Sequence, residues 1–140
     1  MINKTVVSGK RKMAVARAVV KEGNGKITIN KMPYEHLEML RRLMIEEPIR
    51  IANEKIGKIN FDIEISVKGG GQASQTEACR LVVARALVES VKNADPKQAE
   101  ILKREFLNYD RNLLVADTRR KEAYKPGDSK ARAKRQKSYR

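Results

Sequence analysis

The chain has 140 residues, enough for one domain with its own core but too few for two ordinary domains. Its 31 Lys and Arg against 17 Asp and Glu give a formal net charge of +14, which favours a polyanionic partner, nucleic acid before an anionic membrane. One cysteine excludes a disulfide framework and a cage of several thiolates, and we expect a cytoplasmic protein with neither signal peptide nor membrane span.

The charge is concentrated near the two ends of the chain. Residues 1–17 carry five basic side chains and no acid, and residues 119–140 carry ten basic side chains and two acids. Residues 18–118 therefore hold only +1 of the total of +14. Charge gathered at both ends of a balanced domain is typical of arms that reach a polyanion.

The first predicted elements are strands. The Ala- and Val-rich residues 13–20 lead into the turn residues 22–25 and a short β-like run at residues 27–30, which predicts a β-hairpin. Farther along, apolar residues at three- and four-residue spacings predict helical structure over residues 34–55, broken at Pro48.

Strict alternation of apolar and polar residues predicts a strand over residues 58–68 with one face in the core. Such alternation fits a sheet that helices cover on one side only, so we expect an α+β fold. After three glycines, a long helix is expected over residues 72–93, apolar on opposite sides and therefore central. Asp95-Pro96 then begins a last helix that runs to about Leu107.

Residues 119–140 contain no Leu, Ile, Val or Phe. They cannot offset the entropy cost of ordering without a partner. We therefore predict a globular α+β RNA-binding domain at residues 1–118 and an extended basic tail at residues 119–140 that is disordered without RNA.

Three motifs are candidate phosphate contacts. Gly9 permits close approach to the backbone, and residues 10–12 are three consecutive cations that can span adjacent phosphates. The alternative is a solvated edge strand, because lysines on an edge strand oppose aggregation. Residues 68–71 lead into a helix N-terminus, where an anion could bind, but a tight turn without a ligand explains them about equally well. The tail supplies Lys and Arg for backbone contacts, with a localisation signal or a solubilising end as the alternative.

No catalytic constellation is visible. His36, the only histidine, lies in a helical run where a surface or cap role is expected, and Cys79 falls on a buried helix face as a small packed hydrophobe. We therefore predict that the protein is not an enzyme and has no cofactor and no metal site.

Several short motifs follow one another along nearly the whole chain: Gly9-Lys10-Arg11-Lys12, Ala14-Val15-Ala16-Arg17, Ile29-Asn30, Glu47-Pro48, the three glycines, Ala84-Arg85-Ala86-Leu87, Asp117-Thr118-Arg119-Arg120-Lys121-Glu122, Lys125-Pro126-Gly127, Ala131-Arg132 and Gln136-Lys137-Ser138-Tyr139-Arg140. With these motifs in this order, the chain resembles the ninth protein of the small ribosomal subunit in its archaeal and eukaryotic form.

The resemblance implies a mixed four-stranded sheet with helices packed on one face, located on ribosomal RNA in the head of the small subunit beside neighbouring head proteins. It also implies that the tail contacts the anticodon stem-loop of peptidyl-site transfer RNA through Lys137, Ser138, Tyr139 and Arg140. The motifs and the resemblance together predict contacts with small-subunit ribosomal RNA at Lys10, Arg11, Lys12, Arg17, Lys68, Gly69, Gly70, Gly71, Arg119, Arg120, Lys121, Lys130, Arg132, Lys134 and Arg135.

Two other functions compete with this one. An enzyme could hold a nucleotide phosphate at the glycines, although the sequence lacks the glycine-lysine-serine or glycine-lysine-threonine ending of a phosphate-binding loop. A free-standing DNA-compacting or RNA-chaperone protein would share the basic composition.

Overall fold

The computed structural model describes residues 5–57, 59–127 and 129–132. Within them lies an α+β body with a mixed sheet, which confirms the predicted class. The strands are β1 (Thr5–Arg11), β2 (Ala14–Glu22), β3 (Ile27–Ile29), β4 (Met32–Pro33) and β5 (Phe61–Lys68). The helices are α1 (Met39–Ile56), α2 (Gln72–Ala94) and α3 (Pro96–Tyr109). The sheet has five strands instead of the expected four, and the shortest, β4, has only two residues.

The strand order is β1-β2-β5-β3-β4, with β3 and β5 parallel and the other neighbours antiparallel. The predicted hairpin between residues 13–20 and 27–30 is therefore wrong, because β5 lies between β2 and β3. The long strand β2 pairs with β5 along eight residues, whereas β3 offers only three. The Asp62 carboxylate accepts hydrogen bonds from the amides of Asn24 and Lys26 and so holds the connection that was expected to be a hairpin turn.

One face of the sheet is the core. Alternate residues from Ala14 to Val20 of β2 and from Ile63 to Val67 of β5 are buried there, and α2 packs across this face. Gly9 lets this helix approach β1 closely, because a Cβ at Gly9 would lie 2.8 Å from side-chain atoms of both Leu81 and Val82. The element that approaches the backbone of β1 closely at Gly9 is therefore the helix α2. Ten residues of α2 are buried, Leu81 among them, which confirms its central position.

The other helices flank α2. The predicted break at Pro48 is wrong: α1 continues through it, and the interruption lies earlier, at Leu37, after a single 3-10 turn at Tyr34–His36. Ile45, Pro48 and Ala52 form one buried stripe, and this packing stabilises a helix that proline alone would disfavour.

The predicted start of α3 is confirmed. The side chain of Asp95 accepts a hydrogen bond of 3.0 Å from the amide of Lys97, and Pro96 is the first helical residue. A 3-10 turn at Arg111–Leu113 follows α3, and none of the described residues beyond it belongs to a helix or strand. None of the described helices combines the length and the apolar character needed to cross a membrane.

Candidate nucleic-acid interface

The sheet face opposite the helices, called here the open face, carries the polar residues of the strands. Its rows are fixed by the strand register. Lys10 of β1, Val15 of β2 and Lys68 of β5 form one row. In the next row Arg17 lies between Ser8 and Ser66, one residue from each neighbouring strand.

Three of the predicted contact residues therefore come together on the open face. Lys10, Arg17 and Lys68 are all exposed and come from three adjacent strands. Because neighbouring strands lie about 4.8 Å apart, the three cationic side chains rise from one small area of the sheet. These two rows contain no acid.

The other end of the open face has the opposite character. Glu64 forms an ion pair of 2.7 Å with Lys21, and Asp62 lies opposite Lys21 in the register. Hydrogen bonds from backbone amides, that of Lys26 above all, lower the pKa of Asp62 and keep it charged. The open face is thus divided into an acidic end and a basic end, the latter formed by Lys10, Arg17 and Lys68 beside the turn between β1 and β2.

The three consecutive cations of residues 10–12 point in different directions, because side chains alternate along a strand. Lys10 faces the open side, and Lys12 is exposed in the turn with a φ of 52°. Arg11 faces the helices, and its guanidinium contacts Glu77 of α2 and Asp117. Hydrogen bonding to Glu77 is the main reason why the pKa of Arg11 is raised. Arg11 thus has ionic partners within the protein, whereas neither Lys10 nor Lys12 forms an ion pair with another residue in the described part of the chain.

The glycine turn, residues 69–71, also lies at the basic end. A Cβ at Gly69 would lie 2.5 Å from the carbonyl oxygen of Met13, and one at Gly70 would lie 3.0 Å from the amide nitrogen of Ala14. Both glycines have positive φ, 78° and 66°. Close packing of two turns therefore explains these two glycines without any ligand. Gly71 differs, because a Cβ there would meet no atom within 4 Å.

The tail begins beside the basic end. The Asp117 carboxylate accepts hydrogen bonds of 2.9 and 2.7 Å from the Arg119 guanidinium, and it also contacts Arg11 at the end of β1. These hydrogen bonds from Arg119 hold the pKa of Asp117 well below its usual range. Arg119 itself is 82% exposed, so its guanidinium can still face a further anion.

The other described tail residues are exposed, except Ser129 and Ala131, which are half-buried. The Lys121 ammonium lies 4.5 Å from the centroid of the Tyr124 ring, and Arg132 forms an ion pair of 2.9 Å with Glu122. Arg120 and Lys130 are exposed as well. The remaining predicted contact residues lie outside the described part of the chain: Lys134, Arg135, Lys137, Ser138, Tyr139 and Arg140.

Sequence reasoning missed the acidic partners. Glu77 lies within α2 and Asp117 within a loop, and nothing in the spacing of the sequence links either of them to Arg11. Their only signal was the presence of isolated acids beside basic motifs, which is common on any charged surface.

The two side chains considered for catalysis are a buried thiol and an exposed imidazole. Burial raises the pKa of Cys79 to about 12, and His36 is exposed on the 3-10 turn. Within residues 5–57, 59–127 and 129–132, no group of three or more His, Cys, Asp or Glu side chains is arranged to hold a metal ion.

Comparisons with known proteins give a consistent result. A family model described as ribosomal protein S9/S16 matches residues 9–140. The chain is 48% identical over 135 residues to small ribosomal subunit protein uS9 of Methanococcus maripaludis. The aligned region covers 94% of this chain and 95% of that relative. It is 45% identical, with the same coverage, to the protein of the same name from Methanococcus vannielii.

Proposed function

The chain belongs to the ribosomal protein S9/S16 family, and we propose that it is a structural constituent of the small ribosomal subunit that binds ribosomal RNA and contacts peptidyl-site transfer RNA through its tail. It acts in translation, in the cytoplasm, without catalysis of its own. Its body lies in the head of the subunit beside neighbouring head proteins.

The observation that carries the proposal is the convergence of basic groups at one end of the sheet. Lys10, Arg17 and Lys68 share the open face there, and Lys12 is exposed in the adjoining turn. Arg119 is joined through Asp117 to Arg11 at the same end of β1, on the helix side of the sheet. Phosphate groups bind such a surface by Coulomb attraction and by release of their counterions. The neighbouring Ser8 and Ser66 add hydroxyl groups that can donate hydrogen bonds to phosphate oxygens.

The open face is suited to RNA in a second respect. Val15 and Val19 lie between the basic and polar side chains and are only partly buried, so an apolar surface is available to a sugar or a base. The acidic end attracts phosphates less than the basic end does, because Glu64 pairs with Lys21 there and Asp62 adds a negative charge. Ribosomal RNA is thereby expected to cross β1, β2 and β5 close to the glycine turn.

The tail has a separate role in this proposal. The family match extends to residue 140 and so includes the closing motif Gln136-Lys137-Ser138-Tyr139-Arg140. Arg and Lys of the tail would neutralise phosphates along its course, and Tyr139 can stack on a base or donate its hydroxyl. Arg140 is the residue we expect at the transfer RNA anticodon stem-loop.

Neither alternative function is favoured by a specific observation. The glycine turn on which a nucleotide-binding enzyme would depend is explained by packing at Gly69 and Gly70. A free-standing DNA-compacting protein would not require the separate basic and acidic ends of the open face.

Sedimentation of a cell extract tests the proposal. The endogenous protein should co-sediment with small subunits and with whole ribosomes, and should leave the subunit only at salt concentrations that dissociate other RNA-bound proteins. Recovery of the protein mainly in the ribosome-free fraction, or in complexes that nuclease specific for DNA disperses, would contradict it.

A further inference from the structure

The residues between α3 and the tail, numbered 110–117 and called here the linking segment, are fixed to the body by arginine side chains. Arg80 of α2 donates to the carboxylate of Asp110 at 2.9 Å. Arg85, also of α2, donates through two nitrogens to the carbonyl oxygen of Leu114, at 2.9 and 2.8 Å. Both arginines are thereby used for intramolecular contacts on the side of the molecule that faces away from the open face.

The third attachment is the last before the tail. Arg11 of β1 places its Nη1 2.5 Å from the Asp117 carboxylate, and its Nε hydrogen bonds to Glu77 of α2. The side chains of Arg11 and Asp117 are only 17% and 14% exposed. Farther along the described part of the tail, Glu122 forms an ion pair with Arg132. Both side chains are exposed and both belong to the tail, so this pair does not attach the tail to the body. Asp117 is therefore where attachment of the linking segment to the body ends.

We propose that Asp117 is a positioning residue that fixes where the tail leaves the body, so that the tail and the basic end of the open face meet one continuous region of RNA. The inference rests on the proposed function, because it assumes that both surfaces bind RNA. An extended basic tail attached at a fixed point beside a second binding surface gains effective concentration at that surface. Without the attachment, binding must also supply the entropy cost of ordering the linking segment.

The charge of Asp117 makes the proposal testable by its sign. A carboxylate beside an RNA-binding surface repels phosphates, so its neutralisation should by simple electrostatics strengthen RNA binding. A positioning role predicts the opposite result, because neutralisation also removes the attachment between Arg11 and the linking segment.

The test uses the full chain with Asp117→Asn and, as a matched control, Glu54→Gln. Glu54 is exposed on α1, and both substitutions raise the net charge by one. Affinity for a small-subunit ribosomal RNA transcript is measured at one fixed salt concentration. We expect Asp117→Asn to bind about fivefold more weakly than the unmodified chain, the lower end of usual coupling between sites. Glu54→Gln should bind equally well or slightly more tightly.

A nitroxide spin label at Thr118→Cys provides a readout that does not depend on RNA. Cys79 is buried and competes poorly for the label. In the free protein the label should become more mobile when Asp117→Asn is added and stay unchanged with Glu54→Gln. Circular dichroism establishes that each variant retains the fold.

Each outcome decides the matter. Unchanged label mobility, RNA affinity equal to or above that of the control, or unfolding of the body in Asp117→Asn would each overturn the positioning role. Failure of the unmodified chain to bind the transcript would overturn the proposed function and the positioning role with it, and the mobility of the label would then report the attachment alone.

Discussion

Lys10 of β1 and Lys68 of β5 lie in one row of the open face, on either side of Val15. The two lysines belong to motifs that are far apart in the sequence, and the insertion of β5 beside β2 brings them together. Arg17 in the adjacent row completes the group. The basic end is thus created by the strand order of the sheet.

The glycine turn should tolerate a side chain at one position and not at another. Gly69→Ala is expected to destabilise the protein by about 1–3 kcal/mol through backbone strain, with a further cost because the new Cβ would clash with the Met13 carbonyl oxygen. Gly71→Ala should cost less than about 1 kcal/mol, the scale of a change at a helix N-cap. Denaturant unfolding measures both, and equal losses would refute the packing explanation.

Cys79 should be unreactive in the folded protein. Its pKa is raised from 9.0 to about 12 by burial, so at pH 8 its thiolate population is roughly 1000-fold below that of an ordinary thiol. We expect iodoacetamide to modify it far more slowly than an exposed thiol introduced by Thr118→Cys, and at an ordinary rate in denaturant. Rapid modification of the native chain would show that the Cys79 thiol is accessible to solvent in the folded protein.

The attachment at Asp117 should persist into acid. Because its pKa is lowered by the Arg119 hydrogen bonds, Asp117 contributes stability above the usual pKa of 3.8, and that contribution disappears as the pH falls through the lower folded-state pKa. The difference in unfolding free energy between the unmodified chain and Asp117→Asn should be constant from pH 7 to pH 5. It should narrow only below about pH 4. A difference that does not vary with pH would show that the ion pairs of Asp117, with Arg119 and with Arg11, do not contribute to the unfolding free energy.

The end of the tail should affect transfer RNA more than assembly. Deletion of residues 137–140, or Arg140→Ala alone, is expected to weaken retention of peptidyl-site transfer RNA or initiation fidelity while subunits still assemble. Filter binding of transfer RNA to purified subunits measures the effect. Lys97→Gln with Lys103→Gln removes two charges from α3 as a control, and unchanged transfer RNA binding in the deleted subunits would rule out the tail's proposed role.

Much of the fold was predictable because local patterns agree with it. The alternation in residues 58–68 predicted β5, the apolar residues on opposite sides of 72–93 predicted the central helix, and Asp95-Pro96 predicted the start of α3. Strand neighbours were not predictable. The turn-like residues 22–25 suggest a hairpin, but the pairing partner of β2 is set by the longer apolar strand β5.

The site was predictable in composition and less so in geometry. Lys10, Arg17 and Lys68 were all expected to meet RNA, yet only the register of the sheet shows that they share one face. Arg11 belongs to the same basic motif and faces the opposite way, towards Glu77 and Asp117. Such pairs join distant parts of the chain, and no local pattern reports them.

The salt dependence of RNA binding by a variant of the basic end tests the central claim most directly. Log affinity falls as log salt concentration rises, and replacement of Lys10, Arg17 and Lys68 by Gln should make this fall shallower by about 2 in slope. The figure corresponds to roughly 0.7 for each phosphate on single-stranded RNA that the variant no longer neutralises. Replacement of Lys97, Lys103 and Arg104 on α3 by Gln removes the same charge and should leave the slope within about 0.5 of that of the unmodified chain. Equal reductions in the two variants would mean that the charge acts without regard to its position, and would contradict an RNA-binding site at the basic end of the open face.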